Sequence, residues 1–272
     1  MHDITVLIAM GAMLLALGAA AGLLAGLLGV GGGIILVPAF LFVFTTLGFD
    51  SPDVMQMCLA TSLATIVVTS GRSVLAHDKR GAVDWSVLKT WTPGLILGAL
   101  LGVLTATILS ATVLQLIFAL LAGMVGAYMI VGRSNWRLER RMPGGIVRAC
   151  LSGGTGFLSV LLGIGGGSLG VPVMTLHNVP IHRAVGTAAG FGSIIAIPSV
   201  IAFLFVDVAD APPLTIGSVN LIAFALVMVM TLFTTPLGAG LAHRMDPAPL
   251  KRFFGIFLVL MALNMLRKIL WG

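Results

Sequence analysis

Leu28-Gly29-Val30-Gly31-Gly32-Gly33-Ile34-Ile35-Leu36-Val37-Pro38 is the stretch on which the fold turns. It recurs 134 positions later as Leu162-Gly163-Ile164-Gly165-Gly166-Gly167-Ser168-Leu169-Gly170-Val171-Pro172. Each glycine weakens a helix by about 1 kcal/mol relative to alanine, so three in a row predict a break. Both copies lie in sequence apolar enough for a bilayer interior, where broken backbone survives only inside protein or beside a cavity. Matching breaks in two half-chains are the sequence sign of a transporter's binding site.

The flanking sequence sets the class. The chain is 58% hydrophobic and 9% charged, against about 25% charged residues in soluble domains. Ile4–Leu28, Thr90–Leu109, Leu114–Val131 and Phe253–Leu270 reach or approach the ~20 apolar residues that cross a bilayer. A multi-pass membrane protein follows, because no polar run is long enough to build a soluble domain. The net charge of +6 reads as the cytoplasmic bias of Lys and Arg in membrane loops, so no nucleic-acid partner is expected. Only His2 and Asp3 precede the first apolar run, which therefore reads as a retained span and not a cleaved signal. Cys58 and Cys150 read as small, buried, inert thiols.

The halves match beyond the glycines. Ala60-Thr61-Ser62-Leu63-Ala64 pairs with Gly186-Thr187-Ala188-Ala189-Gly190, while Gly102, Leu114 and Phe118 pair with Gly238, Leu250 and Phe254. This predicts a first repeat over 1–132, a cytoplasmic linker over 133–148 and a second repeat over 149–272. Segments 72–89, 133–148, 177–183 and 242–252 hold 13 of the 15 Lys and Arg, and loops 45–54 and 206–213 hold none. Equivalent loops then fall on opposite sides: 72–89 is basic where 206–213 is acidic, and 109–113 is uncharged where 242–252 is basic. The expected fold is all-α, with two inverted-topology repeats. Each repeat is a glycine-broken helical hairpin plus three transmembrane helices, giving about ten helical segments. Both termini are expected outside the inner membrane of a prokaryote. The returning arm Ile34–Phe44 would measure only about 16 Å, so it stops partway or is extended by Thr45–Phe49.

No catalytic set emerges, and no enzyme activity or cofactor is expected. Asp3, Asp50, Asp53, Asp78, Asp84, Glu139, Asp207, Asp210 and Asp246 all fall in predicted loops or tails, and the five histidines at predicted ends. The glycines are not a phosphate-binding loop, since no Lys-Ser or Lys-Thr follows them. The backbone N–H groups of Gly31, Gly32, Gly33, Gly165, Gly166 and Gly167 would open two helices whose N-termini carry partial positive charge. A small anion could bind there, with Ser168 adding a hydroxyl and Thr61, Ser62 and Thr187 lining the site. The plainer alternative is that the glycines only allow close helix packing and the hydroxyls only back-bond. Arg72 and Arg183 would gather anions at the cytoplasmic mouth, or else snorkel as ordinary positive-inside residues. Pro38 and Pro172 are expected to end the glycine-led turns, and Pro93, Pro198 and Pro236 to kink spans.

Together with the closing run Leu237-Gly238-Ala239-Gly240-Leu241-Ala242-His243-Arg244, these motifs resemble the sulfite exporter TauE/SafE family over essentially the whole chain. The resemblance implies a plasma-membrane permease for small sulfur-containing anions, with sulfite, sulfoacetate and other sulfonates as substrates. One departure is Ala188, which leaves Ser62 without a hydroxyl counterpart. The leading expectation is a secondary transporter, working as an exporter, that binds its anion at the midplane between the two glycine-broken helices. The alternatives are a passive anion channel or an uptake permease for another small organic anion. A homodimer in the lipid bilayer is an allowed assembly.

Overall fold

The computed structural model describes residues 4–28, 33–49, 51–131, 142–242 and 247–271. Among them the first half forms α1 (Ile4–Leu28), α2 (Gly33–Thr46), α3 (Val54–Asp78), α4 (Trp85–Ile108) and α5 (Ala111–Val131). The second forms α6 (Gly145–Leu161), α7 (Gly167–Leu176), α8 (Ile181–Phe203), a two-strand hairpin β1 (Thr215–Ile216) and β2 (Val219–Asn220), α9 (Leu221–Ala242) and α10 (Pro247–Trp271). The protein is all-α and polytopic, as the hydropathy predicts. Five helices are long and apolar enough to cross a membrane among the described residues: α3, α4, α5, α8 and the Leu221–Gly238 stretch of α9.

α4 shows how an apolar helix divides its two sides. On α4 the buried face is Leu88, Trp91, Leu95, Gly98, Ala99, Gly102, Val103 and Ala106. Leu97, Leu100, Leu101, Leu104 and Ile108 stay exposed on its other side. The first half of α4 buries Leu88, Trp91 and Leu95. The second half turns mostly small residues inward (Gly98, Ala99, Gly102 and Ala106) and leaves its leucines outside. This is membrane packing, because lipid gives Leu no reason to hide. A Cβ added to Gly98 would strike the Gly153 carbonyl of α6, and one on Gly156 the Leu95 carbonyl of α4. On α5, a Cβ added to Gly126 would lie 2.8 Å from the Gly255 carbonyl of α10. The glycines outside the motif let backbones touch.

Contacts are exchanged between the halves. α1 packs chiefly on α9, and its sequence equivalent α6 packs chiefly on α4; α2 lies on α3 as α7 lies on α8. The equivalent helices α3 and α8 pair with each other, as do α5 and α10. Both of these pairs run antiparallel: Ser70 meets Ser193 while His77 meets Gly186, and Gly123 meets Ala262 while Gly126 meets Gly255.

Several details differ from the sequence expectations. α6 starts at Gly145, inside the stretch 133–148 read as a linker, whose residues 133–141 lie outside the described set. Pro38 and Pro172 do not end turns. Each sits at the sixth position of its helix, inside α2 and α7, where membrane helices tolerate proline when neighbouring groups satisfy the freed carbonyl. Cys58 is buried as expected, but Cys150 is exposed on α6. The β-hairpin is short and lacks the alternation that marks strands, so nothing announced it. Gly217 turns it with a φ of +54°, and Ser218 pins it to the end of α8 through Ser218 N–H to Phe203 O (2.9 Å) and Oγ to Val206 O (2.7 Å).

Candidate functional site

The returning arms are short. α2 has 14 residues and α7 has 10, or about 21 and 15 Å at 1.5 Å per residue, well under the ~30 Å hydrocarbon layer. Both begin at the glycine motifs, and the motifs meet. A Cβ added to Gly33 would lie 2.9 Å from the Gly163 carbonyl oxygen and 3.0 Å from Ile164 Cα. Gly163 itself adopts φ +56°, a left-handed turn that suits glycine, and a Cβ there would clash with Val37. Ile66 of α3 packs against both Gly33 and Gly165. Gly31 and Gly32 lie outside the described residues.

Ser62 ties the two motifs together. Its Oγ donates to the Gly163 carbonyl at 2.6 Å and lies 3.4 Å from that of Gly33. Its single proton is thereby committed to backbone. Thr61 and Thr187 have a matched pair of tasks. Thr61 Oγ1 accepts the Asn220 N–H (3.1 Å) just before α9, and Thr187 Oγ1 accepts the Asp84 N–H (2.8 Å) just before α4. Each threonine thus holds the start of a helix in the opposite half. Sequence reading saw the paired placement but had no means of finding the partner.

The second motif opens toward a different set of groups. The first turn of α7 begins with Gly170 N–H to Gly166 O. The N–H groups of Gly165, Gly166, Gly167 and Ser168 donate to no acceptor among the described residues, as helix geometry requires of a first turn. Ser168 is 6% exposed, and its Oγ is buried with no hydrogen-bond partner. Side chains on a helix lean toward its N-terminus, so this hydroxyl leans toward the free amides. One wall is aromatic. Phe191 fills the space that side chains on Gly166 and Gly170 would need, and Trp91 of α4 stacks on it with centroids 5.4 Å apart.

Two further hydroxyls adjoin the amides, and the sequence reading missed both. Ser70 Oγ and Ser193 Oγ lie 2.8 Å apart between α3 and α8. A Cβ added to Gly192 would lie 2.8 Å from Ser70 Oγ and 3.7 Å from Gly165 Cα, so the pair is separated from the motif by one glycine. They occupy non-equivalent places in the repeats, so internal symmetry carries no signal for them. Ser159, also buried and unpartnered, sits one turn before the motif on α6.

The two arginines are elsewhere. Arg72 is exposed, and two residues along a helix is a rotation of about 200°, which turns it away from the Ser70 face. Arg183 is half-exposed and pairs with Asp84 at 3.2 Å. Every buried polar side chain among the described residues is Ser, Thr, Gln or Asn.

The second motif thus combines free amides at a helix start with an unpaired buried hydroxyl, and the Gly33 start of α2 packs against it. The model of the sulfite exporter TauE/SafE family matches residues 14–265. The chain belongs to the sulfite exporter TauE/SafE family. Relatives named probable membrane transporter proteins agree. One from Haemophilus influenzae is 29% identical over 263 residues, covering 93% of this chain and 97% of its own. One from Methanocaldococcus jannaschii is 25% identical, covering 93% and 94%. YunE of Bacillus subtilis is 26% identical, covering 93% and 96%. As a TauE/SafE member, the protein is a multi-pass membrane transporter and not an enzyme.

Proposed function

We propose that this transporter is a secondary exporter of small sulfur-containing anions such as sulfite or organosulfonates, and that the anion sits at the amide end of α7, beside the junction of the two glycine motifs. The observation that carries the reading is the Ser168 hydroxyl. A buried hydroxyl without a partner costs about 1–3 kcal/mol. Beside free helix-terminal amides, an anionic oxygen would remove that penalty and bind with charge-assisted strength. The antiparallel pairing of α3 with α8 and of α5 with α10 supports two inverted repeats, the architecture in which one central site serves both faces of the membrane. The loop charges support termini on the outer side.

The test is counterflow in proteoliposomes with sulfite, sulfoacetate and taurine, alongside sulfate and acetate. Saturable exchange of sulfite and the sulfonates is expected, and saturation with counterflow separates a carrier from a passive channel. Indifference to sulfite and to both sulfonates overturns the substrate assignment. Ser168→Ala adds no bulk. It should lower flux about tenfold, the loss of one charge-assisted hydrogen bond, while leaving thermal stability equal or higher. Unchanged flux moves the site away from α7.

A further inference from the structure

Among the described residues the site proposed above has no fixed positive charge, and this bears on the charge of what it takes. The donors are the amides of Gly165, Gly166, Gly167 and Ser168, the Ser168 hydroxyl, and the Ser70–Ser193 hydroxyl pair. No Lys, Arg or His among the described residues is buried. On α3, Arg72 is exposed and faces away from Ser70, and His77 lies about two turns beyond it. On α8, His182 and Arg183 are exposed near its first residue, with Arg183 held by Asp84. On α7, His177 lies just past the far end and bonds its own helix at the Val173 carbonyl. On α4, Asp84 and Lys89 lie at the helix start, and on α6 Arg148 is half-buried in the first turn, about three turns before Ser159.

Dipoles and hydroxyls stabilise an anion in proportion to its charge, but the cost of removing it from water grows with the square of that charge. Doubling the charge therefore doubles the favourable part and raises the cost about fourfold. A bilayer interior without a cation sharpens the difference. Hydroxyls also accept hydrogen bonds, which amides cannot. One of Ser70 and Ser193 donates to the other, so the pair keeps one free proton and free lone pairs, one glycine away from Gly165.

We infer that this transporter carries sulfur oxyanions whose sulfur-bearing group has a single charge, and excludes those, such as sulfate and fully ionised sulfite, whose group has two. A sulfonate with a single charge enters as it is, and sulfite enters as singly protonated hydrogensulfite, whose O–H is received by the Ser70–Ser193 pair. The inference rests on the reading above.

Methanesulfonate, sulfite and sulfate discriminate the possibilities in proteoliposomes of the full chain. Methanesulfonate is a monoanion throughout the neutral range, sulfate is a dianion, and sulfite loses its second proton close to neutrality. Between mildly acidic and mildly alkaline buffer, sulfite flux at subsaturating total concentration should fall several-fold, tracking the hydrogensulfite fraction. Methanesulfonate flux should stay level, which controls for titration of the protein, and sulfate should not compete. Sulfite flux that is level or rises with pH, or sulfate competing as well as methanesulfonate, overturns the single-charge rule while leaving the transporter reading intact. Absence of both sulfite and methanesulfonate flux at every pH defeats that reading, and this one with it.

Discussion

Thr61 and Thr187 occupy equivalent positions and hold equivalent helix starts, yet the residues they hold differ. Thr187 receives the N–H of Asp84, whose carboxylate caps α4 by accepting from Ser86 and Val87 N–H (3.1 Å each) and reaches Arg183. Thr61 receives the N–H of Asn220, whose amide caps α9 by accepting from Ala223 N–H (2.8 Å) and donates to Pro213 O and Thr215 Oγ1. Asn220 is 0% exposed, whereas the Asp84 side chain is 25% exposed. Burial accounts for the difference. A carboxylate accepts caps well where water and a guanidinium can reach it, but a sealed site favours a neutral amide whose donors and acceptors are all used. One latch is open to water and an ion pair, and the other lies sealed within the β-hairpin.

Swapping the two caps breaks the comparison most severely. Asn220→Asp places a charge in a sealed site next to carbonyl oxygens and should cost about 3 kcal/mol or more, read as loss of folded protein in a detergent thermal melt. The reverse change, Asp84→Asn, keeps a good cap and should cost under about 1 kcal/mol. Equal losses from the two variants would refute the role assigned to burial. The threonines give a smaller version of the same contrast. Thr61→Val strands the buried Asn220 N–H and should cost about 1–3 kcal/mol, whereas at Thr187→Val water reaching Asp84 limits the loss to about 1 kcal/mol. The smallest effect belongs to Arg183→Gln. Its ion pair is more than half exposed on the Arg side, so stability should change by under about 1 kcal/mol, and any effect should fade at high salt.

Much of the architecture was legible in advance because membrane helices are read from local properties. The length and apolarity of Ile4–Leu28 predict α1 over the same residues, and Gly165–Gly167 predicts the break before α7. The prolines were misplaced because a membrane helix can keep a proline that would end a helix in water. Cys150 was misjudged because an apolar helix looks alike on its lipid and protein sides. Of the candidate site, the second motif and Ser168 were legible. Ser70, Ser193 and Ser159 were not, since a serine in an apolar helix carries no mark of what it faces.

The sequence by itself determined the class, the number of helical segments, the doubled glycine motif and the scarcity of charge within the spans, all consequences of composition and backbone propensity. Only the tertiary structure decided what the hydroxyls do. It committed Ser62 to the Gly163 carbonyl, gave Thr61 and Thr187 to opposite latches, and left Ser168 unpaired beside free amides. A hydrogen bond depends on which helix faces meet, and that is set by small residues packing across distances in sequence of a hundred positions and more.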